Sequence, residues 1–126
     1  NFGMTGGQMA WTTLEGQKTT TSPHGRDCNV TGAPIKIPEM IAGSFDVAYV
    51  ARGAITTPQE ILKLKKYIRN AFEAQLNGEG YSMVEVLSTC PTNWGMSPVR
   101  AKEHLTENVM PIYPLGELKK RGGKNA

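Results

Sequence analysis

Between Ile35 and Val109 the apolar positions fall into stretches of distinct period. Val47-Ala48-Tyr49-Val50-Ala51 is a short unbroken run rich in strand formers, the pattern of a buried strand. From Ile61 the apolar residues recur at helical spacing, through Leu64, Ile68, Ala71, Phe72 and Leu76. Lys63, Lys65, Lys66, Arg69 and Glu73 fall mostly on other faces. Thr57-Pro58 gives that helix a hydroxyl N-cap and a proline at its first position, with Glu60 third, and Gly78 ends it. Tyr81 to Ser88 alternates and then runs apolar through Met83, Val84, Val86 and Leu87, which predicts a second strand. Ser97-Pro98 repeats the cap-and-proline device and opens a helix expected to reach about Val109. Ahead of these, Ile35 to Ala42 predicts a short helix with Ile37, Met40 and Ile41 on one face and Gly43 as its stop. Strand, helix, strand, helix is a βαβ unit. Its strands are expected to be parallel, joined by a right-handed crossover, in an α/β body whose sites lie at the carboxyl ends of the strands.

Residues 1–34 carry no such period. Gly, Thr, Pro and Gln dominate, with hydroxyl clusters at Thr12-Thr13 and Thr19-Thr20-Thr21-Ser22 and punctuation at Pro23, Gly25, Gly32 and Pro34. A loop of about 30 residues is uncommon in a compact domain unless it is functional. It supplies few apolar groups, so the core is expected from the rest of the chain. A ligand, a partner subunit or both are expected to hold it in place. At 126 residues the chain is one domain or part of one. It divides into a loop region at 1–34, a βαβα body at 35–118 and a basic tail at 119–126.

Charge narrows the function classes. The net charge is +3, and Lys119, Lys120, Arg121 and Lys124 account for more than that. The body is near neutral, which argues against a nucleic-acid partner, and the tail reads as a solvated basic end. Cys28 and Cys90 are too few and too unpatterned for a disulfide scaffold or a zinc site, and read as free thiols of a reducing cytoplasm. With no secretory signal, the acceptor pattern Asn29-Val30-Thr31 carries no weight. No apolar stretch approaches the ~20 residues of a membrane span.

The candidate chemistry lies at the front of the chain. Gly3-Met4-Thr5-Gly6-Gly7-Gln8 combines glycines, which let backbone N–H groups converge without a Cβ in the way, with hydroxyl and amide donors. That composition suits a phosphate or diphosphate. The plain alternatives are a tight turn, or an expression tag, which Met4-Thr5-Gly6-Gly7-Gln8-Met9 also matches. Thr89-Cys90-Pro91-Thr92-Asn93-Trp94-Gly95 closes the second strand, where ligands gather in α/β sheets. Cys90 there reads as a packing or site-lining thiol before a nucleophile, since no His or acid stands near it in sequence. His24 and His104 read as solvated surface residues. Trp11 and Trp94 read as loop tryptophans that cover a core or an interface.

Four segments in fixed order carry a resemblance: Asn1 to Ala10, Gly16 to Pro23, Leu87 to Gly95, and Tyr113 to Lys119. Together they resemble the β subunit of 2-oxoacid:ferredoxin oxidoreductases, nearest to the 2-oxoglutarate and branched-chain members. Because the pattern continues beyond Met9, the tag reading falls away. The resemblance implies the C-terminal part of a doubly wound parallel-sheet domain that binds thiamine diphosphate (TPP). It implies oxidative decarboxylation of a 2-oxoacid to acyl-CoA, with electrons passed to ferredoxin through iron–sulfur clusters held elsewhere in the complex. By the same resemblance, Gly3, Met4 and Thr5 face the diphosphate, while Gly6, Gly7 and Gln8 shape the turn. Asn1 offers its backbone carbonyl to Mg²⁺. The family motif begins with Gly-Asp-Gly about thirty residues upstream, so the aspartate and the first asparagine that ligate Mg²⁺ are expected ahead of Asn1. The α subunit, further small subunits, ferredoxin and coenzyme A are the implied partners. The acid that activates the cofactor is expected from the partner subunit, and no catalytic residue is assigned to this chain. Cys28 falls in the general area of a cluster cysteine in some relatives, but stands without a cluster motif. Two other classes compete: an inactive interaction fragment, and an unrelated phosphate-binding α/β module.

Overall fold

The computed structural model describes residues 2–3 and 6–122, with side chains from residue 6 onward. Asn1, Met4 and Thr5 lie outside the described residues. The chain runs β1 (Phe2–Gly3), β2 (Gln8–Met9), α1 (Cys28–Thr31), α2 (Ile37–Ser44), β3 (Tyr49–Ala54) and α3 (Pro58–Leu76). It continues through β4 (Ser82–Leu87), α4 (Pro91–Trp94), α5 (Pro98–His104) and β5 (Gly116–Lys119).

The βαβ unit forms as its punctuation predicts. Thr57 caps α3, its hydroxyl accepting from the Glu60 N–H at 3.2 Å, and Pro58 takes the first helical position. Gly78 follows the helix with φ +67°, a left-handed conformation that favours glycine. β3 and β4 pair in parallel, in register from Tyr49 with Ser82 to Ala54 with Leu87. Every residue of β3 is buried, as its apolar run requires. At Gly53 the strand and α3 approach so closely that a Cβ would meet Leu64 Cδ1 at 2.8 Å.

Three expectations are corrected. The sheet of the body is mixed, not wholly parallel: β5 lies antiparallel on the other side of β3, giving the order β4-β3-β5. β5 crosses the boundary drawn at residue 119. Lys119 belongs to the strand, with a side chain only 10% exposed, and Arg121 binds Glu79 and Glu73 with guanidinium–carboxylate distances of 2.6 Å. Neither residue is a solvated tail. The periodic stripe of α3 is also buried only in part. Leu64 and Ala74 are buried, whereas Phe72 and Leu76 are 67% and 85% exposed, because the two strands beneath the helix do not reach its outer flank. The last helix gives way at Leu105–Val109 to a wider turn, in which the Met110 N–H reaches back to the Leu105 carbonyl at 2.9 Å.

Two small cores result. One joins Tyr49, Ala51 and Ala74 between β3 and α3. The other joins Leu14, Leu105, Val109 and Tyr113, so the 1–34 region does contribute to the interior. Between them lies a buried cation. Arg52 of β3 is fully buried and forks onto the Glu39 carboxylate of α2 at 2.7 and 2.6 Å. It also binds Glu85 of β4, donates to the Pro114 carbonyl at 3.1 Å, and lies over the Tyr113 ring. One side chain thus ties α2, β3, β4 and the approach to β5 together.

Candidate functional site

The Gly-rich turn links β1 to β2, which pair as Phe2 with Met9 and Gly3 with Gln8. Gly7 is buried with φ +66°, and a Cβ there would fall 3.1 Å from Asn93 Oδ1. Only glycine combines that backbone with that approach. The Gln8 side chain folds back over Gly6, so that a Cβ on Gly6 would meet Gln8 Nε2 at 2.6 Å. Asn93 lies in α4, in the segment that leaves the carboxyl end of β4. The turn is therefore seated where a parallel sheet binds ligands, although it lies some eighty residues away in sequence.

The hydroxyl cluster is what holds the turn. Thr20 donates from Oγ1 to the Gly6 carbonyl at 3.0 Å and from its N–H to the Gly7 carbonyl at 3.1 Å. Thr21 Oγ1 accepts from the Met9 N–H at 2.9 Å. Thr19 and Ser22 lock their own turn with a 2.6 Å hydroxyl pair. A trans peptide sets its N–H opposite its C=O. Thr20 therefore turns the N–H groups of Gly7 and Gln8 away from itself, onto the other side of the turn. Gln8 takes part in the β1–β2 ladder with Gly3, and the Gly7 N–H, turned away from Thr20 between two glycines, is a backbone donor of the kind a diphosphate requires, so the residues present fit that group. Of the site residues expected from sequence, Gly6, Gly7 and Gln8 are placed in this way, and Gly3 pairs with Gln8. Met4, Thr5 and Asn1 fall outside the described residues.

The rest of the 1–34 region has an internal hold centred on one arginine. Arg26 is 5% exposed, and among the described residues no carboxylate reaches it. It is satisfied by oxygen dipoles instead. Nη1 donates to the carbonyls of Ala10, Trp11 and Thr13 at 3.2, 3.1 and 2.6 Å. Nη2 donates to Gly32 and Ala33 at 2.9 and 3.4 Å, and Nε to Thr31 Oγ1 at 3.2 Å. Sequence reasoning passed over Arg26. Its signal was an isolated arginine among glycines and threonines, a segment with many carbonyls and few other cations to satisfy them.

Beside the turn opens a cleft of about 380 Å³ lined by Leu14, Gln17, Asn93, Trp94, His104 and Asn108, among others. Gln17 is fixed by the Leu14 N–H, which donates to its Oε1 at 2.9 Å, and its Nε2 is buried with no partner among the described residues. Trp94 packs on the second core, as expected for a loop tryptophan, and its ring meets His104 edge to face at 4.9 Å. His104 is thus half-buried, not the solvated residue expected. Burial, and after it the charge of Arg100, lowers its pKa and favours the neutral ring. Trp11 is 72% exposed.

The thiols do not form a centre. Both cysteines are free. The Cys28 N–H donates to the Glu15 carboxylate at 2.9 Å, and that carboxylate raises the pKa of the Cys28 thiol, against the thiolate a nucleophile or cluster ligand needs. Among the described residues, no group of three or more His, Cys, Asp and Glu could hold a metal ion.

Sequence relatives give this geometry a context. The chain is 37% identical over 123 residues to ketoisovalerate oxidoreductase subunit VorA of Methanothermobacter marburgensis, covering 98% of this chain and 26% of that protein. It is 39% identical over 107 residues to 2-oxoglutarate synthase subunit KorB of Archaeoglobus fulgidus, covering 85% of this chain and 36% of that protein. It is 31% identical over 99 residues to pyruvate synthase subunit PorB of Methanothermobacter thermautotrophicus, covering 79% and 32%. The chain belongs to the 2-oxoacid:ferredoxin oxidoreductase subunits. It spans between a quarter and about a third of the length of these curated relatives. No protein-family model matches it, and no solved structure matches it. Among the described residues no helix is long and apolar enough to cross a membrane.

Proposed function

We propose that this chain supplies part of the diphosphate site in the TPP-binding β subunit of a 2-oxoacid:ferredoxin oxidoreductase. The complex would oxidatively decarboxylate a 2-oxoacid to acyl-CoA and pass electrons to ferredoxin. The observation that supports this most is the Gly6-Gly7 turn, held on its carbonyl side by Thr20 and seated against Asn93 at the carboxyl end of β4. Family membership sets the chemical class. The relatives' names span ketoisovalerate, 2-oxoglutarate and pyruvate, so the substrate is proposed only as a 2-oxoacid.

The chain's own residues have a binding and orienting role in this reading. By the family resemblance, Gly3, Met4 and Thr5 would face the diphosphate, while Gly6, Gly7 and Gln8 would shape the turn. The Asn1 carbonyl would be one oxygen ligand of Mg²⁺, a hard cation that takes oxygen ligands from protein and phosphate. Bound TPP supplies the electron sink for decarboxylation. The acid that activates the cofactor comes from the α subunit, and the iron–sulfur clusters from elsewhere in the complex, where ferredoxin and coenzyme A also engage.

Among the described residues no group of three or more His, Cys, Asp and Glu could hold a metal ion, and the resemblance assigns the Mg²⁺ carboxylate to another part of the family motif. That favours a companion reading, in which these 126 residues alone act only as an interaction and packing unit. Calorimetry separates the two. TPP with Mg²⁺ is expected to bind saturably to the intact subunit assembled with its partners and weakly to residues 1–126 alone. No heat of binding in the assembled complex refutes the cofactor reading. Tight Mg²⁺-dependent binding to residues 1–126 refutes the companion reading.

A further inference from the structure

We infer that Thr20 is a positioning residue for the diphosphate turn: it sets the direction in which the Gly7 N–H faces the anion, without touching the anion itself. The inference rests on the TPP reading above and extends it to a residue that neither the family resemblance nor that reading assigns. Its basis is the double grip on consecutive peptides. The Thr20 hydroxyl binds the Gly6 carbonyl and its backbone N–H binds the Gly7 carbonyl. Each peptide is planar and trans, so fixing the Gly6 carbonyl fixes the Gly7 N–H direction, and fixing the Gly7 carbonyl holds Gln8 in the strand that pairs with Gly3. Glycine costs more conformational freedom to order than any other residue, so Gly6-Gly7 needs an external hold to be preorganised. Thr21 and the Thr19–Ser22 hydroxyl pair keep Thr20 in place. Thr20 is exposed, so its hydroxyl contributes little to the core, and its loss is expected to act on the turn before it acts on stability.

The test uses the intact subunit assembled with its partners, with TPP and Mg²⁺ as the titrated ligands. Thr20→Val keeps the shape and the backbone bond but removes the hydroxyl grip on Gly6. Thr20→Ser restores it. Thr31→Val is the control, since it removes a hydroxyl from the same region that serves Arg26. Thr20→Val is expected to weaken TPP binding about tenfold, the scale of one lost hydrogen bond in a preorganised site. The concentration of TPP for half-maximal turnover should rise with it, while kcat at saturating TPP and the melting temperature stay near wild type. Thr20→Ser should lie within about twofold of wild type. Thr31→Val should lower the melting temperature with a smaller effect on TPP binding.

Wild-type affinity in Thr20→Val, with TPP binding intact in the parent, overturns the positioning role alone. Equal loss of TPP affinity and of melting temperature in Thr20→Val and Thr31→Val also overturns it, because the hydroxyl would then serve only the fold of the loop. So does failure of Thr20→Ser to restore binding. A parent complex that binds no TPP at all overturns the cofactor reading and this inference with it.

Discussion

Two arginines and one glycine decide most of what this chain does locally. Arg52 and Arg26 are both buried cations, but they are neutralised differently. Arg52 meets two carboxylates, from Glu39 and Glu85, whereas Arg26 meets only carbonyls and a hydroxyl. Removing Arg52 strands two partly buried carboxylates, so Arg52→Met is expected to lower the unfolding free energy by about 3–5 kcal/mol, read from urea midpoints. Removing Arg26 strands carbonyls instead. Arg26→Met is expected to cost about 2–4 kcal/mol, and Arg26→Lys to recover only part of it, because an ammonium cannot serve both flanks of the fork. The Arg52 guanidinium also holds the Glu39 carboxyl below its usual range. A carboxyl depressed on folding contributes stability that is present above its ordinary pKa and lost as pH falls through the folded value. Stability is therefore expected to decline on acidification below about pH 4.5. Glu39→Gln should flatten that decline in a urea–pH series. At Gly7 a Cβ would be strained by φ +66° and would press on Asn93. Gly7→Ala is expected to weaken TPP binding by about tenfold or more in calorimetry of the assembled complex.

At the scale of elements, the parts of the sequence with explicit start and stop chemistry were legible, and the parts held by distant partners were not. α3 begins at Pro58 under a Thr57 cap and α5 at Pro98 under a Ser97 cap, as local signals predict, because capping is settled within four residues. Thr57→Ala is accordingly expected to cost about 1 kcal/mol in thermal or urea unfolding. β3 and β4 were legible from their apolar runs. β5 was not: Gly-Glu-Leu-Lys is too short and too polar to read as a strand by itself, and forms because β3 offers it an open edge. The stripe of α3 misled in the opposite direction, since helical period shows which face is apolar but not how far the neighbouring sheet extends. Where strand and helix do touch, contact is close. Gly53→Ala would drive a Cβ into Leu64 and is expected to cost about 1–3 kcal/mol, against a smaller change at the open Gly43.

Across the whole molecule, the candidate site was legible as three separate words but not as a sentence. The Gly turn, the threonine cluster and the Asn93 segment were each visible in sequence, yet their meeting at the carboxyl end of β4 depends on contacts spanning up to eighty-six residues. Sequence reasoning supplied the chemistry of the turn and missed its support. Arg26 and Thr20 bind residues 1–34 from inside, a hold that no local pattern announces. The central claim is that this support prepares a backbone face for a diphosphate. A structure of the intact subunit with TPP and Mg²⁺ bound tests it most directly. Diphosphate oxygens within about 3 Å of the Gly7 N–H, with Thr20 still on the Gly6 and Gly7 carbonyls, is the expected result. A cofactor seated elsewhere, with the Gly7 N–H bonded to the protein or to solvent alone, would contradict it.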